Sequence, residues 1–223
     1  MEPTTFSIET AEDSLHKEGF VDLHDSTVGR HVSEIEQKGF QYLSPHGLDF
    51  CQQRVLEDVR IRSILESLFE KCNLGHWLRY KELPGHIECF RKGGPEAGMR
   101  VVLVQLWARG SQVEYYRGSH LCVLPTTKGE RSLHEISPMA LDEAGCKPKE
   151  LKFPDGGLVV LDARLAFEIK IGYAITFIFA TDEVVAAWPK ISLPNSPEVV
   201  RKVVNMESQK IKVNFAVQAS AGK

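Results

Sequence analysis

The apolar positions in the first third of the chain recur at helical spacing. Thr10 ahead of Ala-Glu-Asp predicts a capped helix start, with Leu15 and Phe20 as its apolar positions, before Gly19-Phe20-Val21 turns the chain into a strand. A second helix is predicted over 26–38, where Val28, Val32 and Ile35 fall at i, i+4, i+7 and Gly39 stops the run. The third pattern is the longest: Leu48, Cys51, Val55 and Val59, then Ile64, Leu65, Leu68, Phe69 and Cys72, form one stripe with charges opposite, ending at Asn73-Leu74-Gly75.

From residue 76 the period shortens. Runs rich in β-branched and aromatic residues alternate with Gly, Pro and Lys clusters, giving candidate strands at 77–82, 85–91, 100–109, 112–115, 121–123, 158–162, 165–170 and 173–181. Helices followed by about eight strands predict a mainly β domain, a sandwich or open barrel with helices packed outside. Residues 126–150 are polar and read as a long inserted loop with a short helix near 138–144. The three prolines of WPKISLPNSP read as an exit linker, and 197–209 as one helix before a polar tail. The expected organisation is one domain over 1–188 and a linker and tail over 189–223.

Composition narrows the function. The chain has 223 residues, 43% of them apolar, enough for one sizeable core, and its net charge of −3 argues against a nucleic-acid binder. The opening MEPTTFSIETAED lacks the basic and apolar regions of a secretory signal, and no apolar run approaches the roughly 20 residues of a membrane span. A soluble cytoplasmic protein is expected. Cys51, Cys72, Cys89, Cys122 and Cys146 show no paired spacing and read as reduced thiols without a metal role.

Candidate chemistry begins at His86-Ile87-Glu88. Alternate residues of a strand share a face, so this imidazole and carboxylate can hold a metal together or simply line the interior. His120 is a further candidate ligand, Glu168 and Lys170 a candidate base pair or a solvated strand face, and Trp107, Tyr115 and Tyr116 candidate interior residues. No nucleophile elbow, phosphate-binding loop or dinucleotide fingerprint is present.

Taken in order, Lys17-Glu18-Gly19-Phe20-Val21, His86-Ile87-Glu88, Trp107, Gly118-Ser119-His120 and Pro154–Asp162 resemble the motif series of the phytanoyl-CoA dioxygenase-like branch of the Fe(II)/2-oxoglutarate oxygenases, over residues 11–181. The resemblance implies a double-stranded β-helix, the cupin-like jelly roll. It implies that His86 and Glu88 stand at two positions of an iron-binding facial triad, as vestigial or weak ligands, with Glu in place of the usual Asp. It also places the third ligand, a histidine, near Ala166–Glu168, and a 2-oxoglutarate-clamping arginine at Gly172-Tyr173; this sequence has neither.

These departures lead to the expected function: a non-catalytic dioxygenase-like subunit, with no cofactor of its own, in a heterodimer with a catalytic dioxygenase that carries Fe(II) and 2-oxoglutarate. Some fungal natural-product pathways, such as meroterpenoid biosynthesis, resemble this situation. The alternatives are a non-heme iron oxygenase using His86 and Glu88, or a metal-free isomerase or cyclase on the same fold.

Overall fold

The computed structural model describes residues 6–218. The outermost five residues at either end of the expected spans, including the end of the polar tail, lie outside them. In chain order the strands are β1 (Phe20–Asp22), β2 (Cys72–Lys81), β3 (Glu88–Cys89), β4 (Val101–Trp107), β5 (Ser111–Arg117), β6 (Thr127–Lys128), β7 (His134–Glu135), β8 (Lys147–Phe153), β9 (Gly157–Asp162), β10 (Ala166–Ile171), β11 (Tyr173–Ala180), β12 (Ile191–Leu193), β13 (Ile211–Val213) and β14 (Phe215–Val217). They form a major sheet of order β1-β9-β4-β11-β2-β13, a facing minor sheet of order β6-β7-β3-β10-β5-β8, and a small pair β12-β14. This is the jelly roll with flanking helices that the sequence predicted.

The helices are α1 (Ile8–Lys17), α2 (Val28–Gln37), α3 (Pro45–Cys51), α4 (Val59–Leu68), α5 (Pro138–Glu143), α6 (Asp182–Val185) and α7 (Pro197–Met206). The long helix predicted over 48–72 is broken. A π-turn at Gln52–Leu56 inserts extra residues into the stripe, and Asp58 then caps a new helix by accepting the N–H groups of Arg60 and Ile61. Val59 therefore leaves the apolar face and is 73% exposed, while Leu65 and Phe69 are buried and Leu68 is partly buried. Cys72 and the supposed stop at Asn73-Leu74-Gly75 belong to β2.

Alternation divides the core into layers. Val102, Val104 and Leu106 of β4 and Ile175, Phe177 and Phe179 of β11 face outward against α2, α3 and α4. Val101, Leu103 and Trp107 of β4, with Ala174 and Ile178 of β11, face inward onto Val113, Tyr115, Phe167 and Ile169 of the minor sheet. A bulge at Gly75 keeps both Leu74 and Trp77 on the outer face, and its missing side chain makes room for the Trp188 ring, which a Cβ there would meet at 2.4 Å.

Three sequence expectations change. Residues 121–123 are not a strand: Gly118 at φ +78° starts a 3₁₀ turn over Ser119–Leu121. Residues 147–150, expected at the end of the inserted loop, instead begin β8, which pairs along its length with β5. The stretch after Trp188 is not a detached linker and tail, because Leu193, Val199, Met206 and Ile211 are buried in the outer core and β13 adds a parallel strand to β2. The helix read at 197–209 is present as α7, and its Val199 and Met206 are among the residues that make this contact.

Candidate functional site

Glu88 lies on β3 between two neighbours, opposite Phe167 of β10 on one side and Glu135 of β7 on the other. Directly paired residues of antiparallel strands share a face. The carboxylate is only 3% exposed, its Oε1 has no hydrogen-bond partner, and its Oε2 sits 3.6 Å from Nε of Arg131. Burial holds this carboxyl above the usual glutamate range; Arg131 opposes the shift and Glu135 adds to it.

His86 is not on the strand. It follows a turn in which its N–H donates to the Leu83 carbonyl, and its ring Nδ1 stands 3.0 Å from Oε1 of Glu135, at ion-pair distance but without hydrogen-bond geometry. Glu135 and Arg131 thus cover the pair from the polar insertion. Sequence reasoning missed both, since β7 is two residues long and nothing in its polar surroundings marks it.

The third position is decided by register. Phe167 stands across from Glu88, and its ring stacks on Phe90 at 6.1 Å and tilts against Tyr115 at 6.4 Å. Tyr115 stacks in turn on Phe20 at 4.6 Å and donates its hydroxyl to Oε1 of Gln105 at 2.5 Å. Trp107 stacks on Phe153 at 5.3 Å. The space between the sheets is packed with aromatic rings.

His120 is engaged elsewhere. Its Nε2 lies 3.0 Å from the His16 carbonyl oxygen and its Nδ1 is packed against Gly19, whose added Cβ would come within 2.7 Å of it. Burial pushes its pKa down, which disfavours the charged ring. The neighbouring Ser119 accepts the N–H of Ala166 at 2.9 Å, so this turn ties α1 and β10 together. Tyr116 lies on the outer side of the minor sheet. Glu168 is not on a solvated face: it is buried, accepts the Gly85 N–H and holds Lys170, which also reaches Glu114.

Among the described residues no three His, Cys, Asp or Glu side chains group to hold a metal ion. Gly172 occupies a tight turn, and Tyr173 turns its ring edge-on to Phe40, toward the helices and away from Glu88. A dicarboxylate needs a cation in the interior. Arg164 is the buried arginine among the described residues, and it is committed to Asp162 through a bidentate pair and to the Gly94 carbonyl. A cleft of about 560 Å³ opens beside Phe90, lined by Arg91, Lys92, Arg100 and His134 among others, but Glu88 is not on its wall.

No protein-family model matches the sequence, and no curated protein matches it. Solved structures do match the fold. AviO1 from Streptomyces viridochromogenes Tue57 aligns over 83% of this chain and 98% of its own, with a TM-score of 0.52 at 14% identity. The epimerase SnoN, solved with Fe3+, alpha ketoglutarate and nogalamycin RO, covers 78% of this chain and 83% of its own, with a TM-score of 0.55 at 14% identity. HygX from Streptomyces hygroscopicus, with nickel and 2-oxoglutarate bound, covers 78% and 86% at a TM-score of 0.52 and 12% identity. The chain shares the jelly-roll fold of these proteins, two of which were solved with a metal and 2-oxoglutarate. No helix among the described residues is long and apolar enough to cross a membrane.

Proposed function

We propose that this chain is a dioxygenase-fold subunit that does no iron chemistry itself and acts by pairing with a complete Fe(II)/2-oxoglutarate oxygenase of the same fold. The observation that carries this reading is Phe167, a packed phenyl ring directly across from Glu88. A third ligand would have to displace it, and Tyr115 and Phe90 hold it in place. The core is otherwise intact, and a surface suited to two copies of one fold would serve two variants of it with little change. A biosynthetic setting is part of the proposal, in keeping with the resemblance to natural-product oxygenases.

The interface belongs on the insertion and its base, where Val123 is 81% and Met139 67% exposed. The tail after Trp188 packs Leu193, Val199, Met206 and Ile211 into the core but leaves Val204 67% exposed, so it offers a second face for the partner. Co-expression with a complete oxygenase encoded nearby is the test. The two chains should co-elute, and Val123→Asp with Met139→Asp should separate them without unfolding either. Separate elution, with the neighbour's turnover unchanged by this chain, overturns the proposal.

A second reading, an iron oxygenase built on His86 and Glu88, is favoured by the unpartnered Oε1 of Glu88. Anaerobic reconstitution of the isolated chain with Fe(II) separates the two. The proposal expects substoichiometric iron and no succinate from 2-oxoglutarate. Stoichiometric iron and succinate, both lost in His86→Ala, would establish the oxygenase.

A further inference from the structure

We propose that Cys122 and Cys146 form an oxidisable pair, a modification site whose disulfide closes the insertion between them at its base. Their Sγ atoms are 3.9 Å apart. Cys122 follows the 3₁₀ turn at Ser119–Leu121, and Cys146 follows α5, where Gly145 at φ +71° turns the chain toward β8. The Cys146 N–H donates to the Leu141 carbonyl at 2.9 Å, which fixes its backbone. Both thiols lie against one small apolar cluster with Ile136, Ala140 and Leu141. Bonding asks the two sulfurs to close from 3.9 Å to about 2.05 Å.

The two thiols differ in access. Cys122 is half-buried and Cys146 buried, so a soluble oxidant meets Cys122 first. With glutathione disulfide as the oxidant, the Cys122 thiolate attacks one glutathione sulfur, and the other glutathione leaves as a thiol. The Cys146 thiolate then attacks the Cys122 sulfur, the bond to the remaining glutathione breaks, and that glutathione leaves as the second thiol. Two cysteine thiols are oxidised and one glutathione disulfide is reduced to two glutathiones, which take up the two thiol protons. Burial, together with the neighbouring Cys122 thiol, pushes the Cys146 thiol up to about 12, which disfavours Cys146 as the first attacking thiolate.

The segment enclosed by this bond carries Arg131, His134 and Glu135, the residues that pair with β3 and cover Glu88 and His86. Joining its ends removes chain freedom from the enclosed loop. Oxidation should therefore steady the cover over Glu88, whether or not a partner subunit is bound.

The test uses the full chain in buffers of increasing glutathione disulfide over glutathione, digested with trypsin under non-reducing conditions. The expected product joins peptide 118–128 to peptide 132–149, since trypsin cuts after Arg117, Lys128, Arg131 and Lys149 but leaves Lys147-Pro148 intact. Two of the five thiols should be lost, and amide exchange across 126–137 should slow several-fold. Cys122→Ser, at a half-buried position, should fold and form no link, while Cys146→Ser should stop at a glutathione adduct on Cys122. A link from either residue to Cys89, which shares the cluster, would overturn the proposal. So would a chain that stays at the single adduct at saturating oxidant, or one that links only in denaturant.

Discussion

The two sheets of this molecule are built on different terms. In the major sheet β4 and β9 are buried at every position, because helices cover one face and the minor sheet covers the other. In the minor sheet β3 and β7 are two residues long, β8 is exposed along most of its length, and buried or half-buried charges such as Glu88, Glu168 and Lys170 take part in its packing. The first sheet holds the fold together through apolar contact. The second spends part of its surface on polar groups whose environments are incomplete, as at Glu88 Oε1. Stability and candidate chemistry are thus separated between the two layers, and variants in each should behave differently.

The largest effect should come from removing the C-terminal segment that completes the major sheet. Deleting residues 189–223 takes Leu193, Val199, Met206 and Ile211 out of the outer core, each contributing about 1.5–3 kcal/mol when fully buried. Their sum is on the scale of a domain's whole stability of about 5–15 kcal/mol. The truncated chain should fail to fold, seen as loss of a cooperative melting transition; a normal transition would return this segment to the status of a tail. Next comes Phe177→Ala, at a ring packed between Phe50 and Trp77, which should cost about 3–5 kcal/mol in denaturant unfolding. A cost below 1 kcal/mol would mean that the major sheet is not the stabilising layer.

The same division explains what the sequence revealed. The runs at 100–109, 158–162 and 173–181 could be read because a strand buried on both faces is written as a continuous apolar run, and β4, β9 and β11 lie within a residue or two of those bounds. The strand β8, KPKELKF, could not be read, because an edge strand with exposed faces has no apolar alternation, only a pairing partner. At the site, His86 and Glu88 were legible as a spacing, and the absence of a histidine near 166–168 as a departure from a resembled motif. That Phe167 is the residue opposite Glu88 depends on inter-strand register, and the cover by Arg131 and Glu135 depends on the path of a polar loop. Neither is encoded in local periodicity.

A smaller effect sharpens the comparison from the site's side. Phe167→His puts an imidazole opposite Glu88 in an aromatic setting, and without a partner this buried polar ring should cost about 1–3 kcal/mol. Added Co(II) or Ni(II) should restore part of that loss in Phe167→His and leave the original chain's melting temperature unchanged. If the original chain is stabilised as strongly by the metal as the variant, Phe167 is not what disables the site, and the oxygenase reading gains ground.

The smallest effect is also the most local. The Glu88 carboxyl is held above its ordinary value of 4.5, mainly by burial, with Arg131 only partly offsetting this. The folded chain therefore keeps this proton over a pH range in which the unfolded chain has already lost it. Where the native state binds more protons, stability falls as pH rises. The penalty is absent below 4.5, grows as pH rises through the folded value, and is fully present above it. Glu88→Gln has nearly the same shape and no charge to bury, so it should be more stable than the original chain at neutral pH, by an amount that shrinks to nothing on acidification toward pH 4.5. Paired denaturant titrations across that range measure the difference. A variant less stable than the original at neutral pH would show that the contact with Arg131 outweighs burial, and that Glu88 belongs with the stabilising groups of the fold. A gain at neutral pH would mark Glu88 as a carboxylate that the fold holds against its own stability, unlike the apolar groups of the major sheet.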